Sequence, residues 1–268
     1  MSIDYLMESD EEALRLELKT DAAVVQAQAT LAGLKPGMRV ADICCGAGLT
    51  TAILGGMASP GGHALGIDAS SGRIQHARTR YGQAGSLFEC RDIREDLSDL
   101  GKFDFVWVRF VLEYFKAEAF DVVRNLGSIV ADGGILCLID LDHNSLNHYG
   151  LSDRLEKALR VSIAALEDTV NFDPYAGRKL YSHLYRLGYT DIQADVGAHH
   201  LIYGPLRDSD AFNWLKKIEV VHRRTGFAIP GYGSAAEFSA DFEAFFTDPG
   251  RFTYTPVINC WGQLPRKS

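Results

Sequence analysis

At 268 residues, with 47% apolar and 23% charged side chains and a formal net charge of −8, the chain has the make-up of a globular protein: one domain with embellishments. The negative balance, broken only by the short basic clusters Lys216-Lys217 and Arg223-Arg224, argues against nucleic acid or another large polyanion as partner. No apolar run approaches the roughly 20 residues that span a bilayer. The five cysteines show neither zinc nor disulfide spacing, and Met1–Tyr5 lacks the basic-then-apolar start of a signal peptide. A cytoplasmic protein with reduced, buried thiols, no metal and no membrane partner is therefore expected.

Residues 9–32 read as a helix, with Ser9 as cap, Glu11 and Glu12 at its positive end, apolar Leu14, Leu18, Val25 and Ala29 at helical spacing, and Gly33 as its stop. Then come a strand at Arg39–Ile43, a helix at Leu49–Met57 and a strand at Ala64–Asp68. A helix runs from Ser70-Ser71 to Tyr81, followed by strands at Leu87–Cys90 and Phe103–Val108. A helix at Phe120–Val130, closed by Asp132-Gly133-Gly134, leads into a strand at Ile135–Leu141. This alternation predicts a parallel sheet covered by helices on both faces. The pattern then changes. Helices are expected at Ser152–Val170, Gly177–Leu187, Ala211–Thr225 and Ala235–Thr247, with strands at Asp191–Tyr203 and Phe252–Trp261. Pro256 inside the last strand points to an edge or a bulge.

The chemistry concentrates where the first strand meets Cys44-Cys45-Gly46-Ala47-Gly48. Gly46 and Gly48 let the backbone turn sharply and a ligand approach closely. Asp68 follows Gly48 by twenty residues, at the end of the second strand, where a carboxylate can hold a ribose diol. The pattern is that of a nucleoside site. A nicotinamide dinucleotide fits poorly, because Thr51 stands where G-x-G-x-x-G requires its third glycine.

Five motifs in order then resemble the class I S-adenosylmethionine-dependent methyltransferases: Asp42-Ile43-Cys44-Cys45-Gly46-Ala47-Gly48, Asp68, Cys90-Arg91-Asp92-Ile93, Phe103 through Tyr114, and Ala131-Asp132-Gly133-Gly134-Ile135. The resemblance covers residues 35–141 closely and the last strand pair loosely. It implies an α/β three-layer sandwich with a seven-stranded, mostly parallel sheet whose last strand is antiparallel between the fifth and sixth. It further implies an N-terminal helical cap at 1–34 and a methyltransferase domain at 35–268, with helical lid insertions at about 144–190 and 205–250. On this reading S-adenosylmethionine, leaving as S-adenosylhomocysteine, is the cofactor. Gly46, Gly48 and the following helix take its polar end, Asp42 its ammonium, Asp68 its ribose, Asp92 and Ile93 its adenine, and Tyr5 covers it. Arg109, an arginine inside an apolar strand, contacts the cofactor or forms a structural ion pair.

Methyl transfer from a sulfonium asks the protein for alignment and exclusion of water, and for a base only when the acceptor must lose a proton. His143, at the end of the fifth strand beside Asp140 and Asp142, is the candidate base. His199 and His200 alternate faces on their strand, so at most one points inward. Tyr149, Tyr175, Tyr203 and Tyr232 are candidates for a pocket wall or for core packing. The acidic balance, and Arg109-Phe110-Val111-Leu112 where nucleobase and glutamine methyltransferases carry Asn-Pro-Pro-Tyr, favour a small-molecule acceptor for O- or N-methylation. A macromolecular acceptor, or a binding protein that transfers nothing, remains open, as does the oligomeric state.

Overall fold

A computed structural model describes residues 20–82, 85–208, 210, 211, 214 and 229–266. Tyr5, residues 9–19, both basic clusters and most of the helix expected at Ala211–Thr225 lie outside these described residues. Helix α1 (Ala22–Leu31) precedes β1 (Arg39–Ile43), α2 (Leu49–Ala58), β2 (His63–Asp68), α3 (Ser71–Tyr81), β3 (Ser86–Cys90), β4 (Phe103–Arg109), α4 (Ala119–Leu126) and β5 (Val130–Leu141). The remainder is β6 (His148–Tyr149), α5 (Asp153–Thr169), α6 (Leu180–Arg186), β7 (Thr190–Tyr203), α7 (Ala235–Thr247) and β8 (Phe252–Gln263).

The strands form one sheet in the order β3-β2-β1-β4-β5-β8-β7. The two-residue β6 joins β8 at Phe252 and Thr253, beyond the end of β5. The first five strands are parallel, β8 runs antiparallel to β5, and β7 pairs antiparallel to β8. This is the three-layer, seven-stranded arrangement expected, with β6 as an addition.

Alternate side chains of a strand point to opposite faces, and here both faces are covered. That is why Phe105-Val106-Trp107-Val108 is apolar without interruption and fully buried. Phe105, Trp107, Cys137 and Ile139 pack with Val25 and Ala29 of α1 and Leu54 of α2. Val106, Val108, Leu136 and Leu138 pack with Val122 and Val123 of α4 and Leu180 of α6. A third cluster joins Leu155 and Leu159 of α5 to Phe238, Phe242 and Phe246 of α7, with Ile202 and Trp214.

Three expectations need correction. The helix expected at 9–32 does not run through Asp21: Asp21 is extended and its carboxylate accepts from the Ala23 and Val24 amides, so it caps a helix that starts at Ala22. The helix of Phe120–Val130 ends at Leu126, and β5 begins at Val130, so Asp132-Gly133-Gly134 belongs to an irregular start of β5 where pairing with β4 shifts register. Pro256 marks a bulge, not an edge. It opposes Ala198 next to a register shift in β7, and β8 has strands on both sides.

Candidate active site

The C-terminal ends of β1, β2, β3, β4 and β5 meet at one edge of the sheet, where open parallel sheets bind ligands. Neighbouring β1, β4 and β5 each run into a left-handed, non-glycine residue: Cys44 at φ 55°, Phe110 at φ 58° and His143 at φ 50°. Such conformations are disfavoured for L side chains and persist where surrounding structure enforces them, typically at functional sites.

The glycine turn is built by packing as well as by backbone freedom. Gly48 has φ 93°, and a Cβ there would lie 2.7 Å from the Ala77 Cβ of α3 and 2.9 Å from the Phe88 ring of β3. Gly48→Ala is therefore expected to lower folding stability by roughly 2–4 kcal/mol, combining backbone strain with overpacking. Urea unfolding checks this, and a wild-type midpoint would show that the turn can shift. The turn is tied to β2 by the Cys45 amide, which donates to the Ile67 carbonyl at 2.9 Å.

Asp68 is buried and joins the turn to the next helix. One carboxylate oxygen accepts from the Gly46 amide at 3.0 Å and meets the Arg73 guanidinium at 3.5 Å; the other accepts from the Ser70 amide at 2.9 Å. Asp42, at the end of β1, is also buried and accepts from the Thr51 hydroxyl at 2.6 Å. Burial pushes its carboxyl up to about 7, against the Thr51 hydrogen bond and the charge of Arg109.

Arg109 leaves β4 with its guanidinium 4.0 Å from the centre of the Phe110 ring, and its Nε donates to Gln28 Oε1 of α1 at 3.3 Å. Among the described residues no carboxylate stands within ion-pair distance of it. Burial brings its pKa down to about 10, opposed by Asp42 and Asp140 at longer range. A largely desolvated guanidinium held by one neutral acceptor is suited to receive an anion.

The other residues fall into place unevenly. Asp92 closes on Arg94, accepting from its backbone amide at 3.0 Å and from its guanidinium, which holds the Asp92 carboxyl below its ordinary value. Ile93 is buried in the core beneath the sheet, and its carbonyl accepts from Asn125 at 2.8 Å. The side chain that sequence reasoning aimed at an adenine thus packs inward.

At the end of β5, Asp140 is consumed structurally. Its carboxylate accepts from the Leu112, Glu113 and Leu141 amides at 2.8, 3.2 and 2.9 Å. Burial, with the Glu113 carboxylate adding to it, still raises its pKa well above the usual range. Asp142 pairs with Arg178 through two contacts of 2.8 and 3.0 Å. His143 presents its half-buried ring edge-on to Tyr175 at 5.1 Å.

The bulge opposite Pro256 corrects the expected alternation of His199 and His200. Their rings lie side by side at 4.3 Å, with His199 4.7 Å from Phe110, so the bulge carries a histidine to the end of β4. Tyr149 and Tyr203 are neither core nor pocket wall, being 75% and 64% exposed. Tyr232 does pack against the cluster between α5 and α7, edge-on to Phe238 at 5.2 Å, and its hydroxyl hydrogen-bonds Asp241. Gln28 escaped sequence reasoning because nothing near it in the chain announces a partner 81 residues away.

A family model described as a methyltransferase domain matches residues 41–136, which span β1 to β5 with the glycine turn, Asp68 and Arg109. Residues 41–136 thus carry a methyltransferase domain, within a chain that has the fold of the class I S-adenosylmethionine-dependent methyltransferases. It is 32% identical over 114 residues to the uncharacterized methyltransferase sll0829 of Synechocystis, an alignment covering 42% of this chain and 51% of that one. The chain thus matches about half the length of that curated relative. Among solved structures, a methyltransferase in complex with the Haloferax volcanii Trm112 activator superposes with a TM-score of 0.58 at 14% identity, covering 96% of this chain and 95% of that one. Phosphoethanolamine N-methyltransferase 2 of Haemonchus contortus, holding phosphomonomethylethanolamine and S-adenosylhomocysteine, gives a TM-score of 0.58 at 13% identity, over 97% of this chain and 58% of that one. These likenesses establish the fold of a family whose members differ in what they bind. Among the described residues no helix is long and apolar enough to cross a membrane, and no group of three or more His, Cys, Asp or Glu is placed to hold a metal.

Proposed function

We propose that this chain binds S-adenosylmethionine at the glycine turn and transfers its methyl group to an oxygen or nitrogen of a small molecule in the cytoplasm. The observation that carries the reading is Arg109, a largely desolvated guanidinium without a carboxylate partner among the described residues, at the same sheet edge as the buried acids Asp42 and Asp68. One cation and two acids match a ligand with a carboxylate, an ammonium and a ribose diol. When bound, S-adenosylmethionine would supply a sulfonium methyl: an acceptor lone pair would form the new bond to carbon as the carbon–sulfur bond breaks in line, with S-adenosylhomocysteine as the leaving group. The chain's share is to hold the ligand's two ends apart: Asp68 and the Gly46 turn at the ribose, Arg109 and Asp42 at the amino acid. Asp92 contributes at the adenine only as far as Arg94 releases it. His143 stands at the acceptor side as the group to take a proton from a hydroxyl. The net charge of −8 supports a small acceptor over a polyanion.

The test is incubation with methyl-labelled S-adenosylmethionine and a cell extract. Label is expected in a small-molecule fraction; label confined to protein or RNA would overturn the small-acceptor assignment, and no transfer would favour a pure binding protein.

Binding should also release a proton. With its pKa near 7, Asp42 is mostly protonated at pH 6, and an ammonium beside it favours the carboxylate. Affinity for S-adenosylhomocysteine is therefore expected to rise from pH 5.5 to about 7 and then level off. The same raised pKa means that Asp42 costs folding stability progressively between its unfolded value of 3.8 and 7, not below it. Calorimetry at pH 6 in two buffers of different ionisation enthalpy checks the release, which should vanish in Asp42→Asn.

A further inference from the structure

We infer that Gln28 is a positioning residue: from α1 it holds the Arg109 guanidinium at the carboxylate end of the ligand. The inference rests on the proposed cofactor reading and deepens it.

Gln28 is fixed from two directions. Its backbone carbonyl accepts from the Asn259 side chain of β8 at 3.4 Å, and the Asn259 Oδ1 in turn lies 3.2 Å from Cys137 Sγ of β5. Its side-chain Oε1 accepts from Arg109 Nε of β4 at 3.3 Å. Val25 and Ala29, at helical spacing on the same face of α1, are fully buried against the sheet, so the helix cannot slide to release the contact cheaply. Residue 28 is thereby clamped over β4, whose Arg109 has no carboxylate partner among the described residues.

Acceptor chemistry explains why a glutamine suits this place. A carboxylate here would form a charge-assisted pair with Arg109 and compete with an incoming anion. An apolar residue would leave Nε–H without a partner in a site shielded from water. A neutral amide oxygen satisfies Nε and leaves the positive charge uncompensated, with the terminal nitrogens of the fork available for a second acceptor.

The experiment compares two probes by calorimetry: S-adenosylhomocysteine, and its decarboxylated analogue, which keeps adenosine, sulfur and ammonium. Gln28→Met preserves length and helix propensity while removing the acceptor. It is expected to weaken S-adenosylhomocysteine roughly 5- to 10-fold, the scale of one hydrogen bond, and to leave the decarboxylated probe unchanged. Gln28→Glu should weaken S-adenosylhomocysteine more than Gln28→Met does, again sparing the analogue. Equal losses for both probes, including those from a variant that folds poorly, would make Gln28 a packing residue and overturn the inference. So would unchanged binding of S-adenosylhomocysteine. A wild-type chain that binds neither probe would instead remove the cofactor reading on which the inference stands.

Discussion

Asp68→Ala is expected to weaken S-adenosylmethionine binding at least about 10-fold, because hydrogen bonds to a charged group contribute roughly 1.5–3 kcal/mol each way they are lost. Asp68 also receives the Gly46 and Ser70 amides, so the alanine variant disturbs the turn and the start of α3 together with any ribose contact. Asp68→Asn separates the two effects. Its amide oxygen can still accept one backbone N–H, but it lacks the charge and the second acceptor oxygen. Calorimetry with adenosine-bearing probes, alongside thermal unfolding, reads both quantities. Loss of stability without loss of affinity in Asp68→Asn would reassign Asp68 to holding the turn.

The second large effect is expected at His143. For a hydroxyl acceptor, His143→Ala should lower turnover by about 10²–10⁴-fold, the range for a placed general base, with cofactor affinity nearly intact. The left-handed backbone at residue 143 and the edge contact with Tyr175 hold the ring at the end of β5. Its neighbours Asp140 and Asp142 are committed to backbone amides and to Arg178, so neither acid is free to take its place. A decrease of only a few-fold would move His143 to binding or packing and turn attention to an amine acceptor, which attacks without a base. Single-turnover measurements with the labelled product of the extract experiment distinguish these outcomes.

What could be read from the chain ahead of its structure follows the range of the interactions. Strands β1, β2, β4 and β5 announce themselves because the residues buried on both faces are apolar apart from acids such as Asp42, Asp68 and Asp140 near their C-terminal ends, and the glycine turn announces itself because Gly48 must be bare against Ala77. Ser70 and Ser152, capping α3 and α5, are equally local signals. The helix start at Asp21 was hidden because Val25 and Ala29 continue the apolar spacing of Leu14 and Leu18 in the sequence. Asp92 and Arg94 lie two residues apart, yet only the turn between them decides whether the carboxylate folds back on its neighbour or faces a ligand. Gln28 reaching Arg109, and His199 reaching Phe110, depend on a helix docking and on a bulge in a strand far along the chain, and such meetings leave no periodic trace.

The position of β8 also constrains the order in which the molecule can be assembled. Residues 252–263 sit between β5 and β7, so during synthesis both strands emerge from the ribosome well before the segment that joins them. Until then β5 and β7 each present an unpaired edge, the arrangement most prone to intermolecular pairing. Closing the sheet requires contacts such as Ile135 with Gln263, across more than a hundred residues, which is a slow step by contact-order arguments. The cradle around Gly46, Asp68 and Arg109 belongs to the earlier strands β1, β2 and β4. Their nascent form, engaged by a ligand, would be steadied during the interval in which the rest of the sheet is still incomplete.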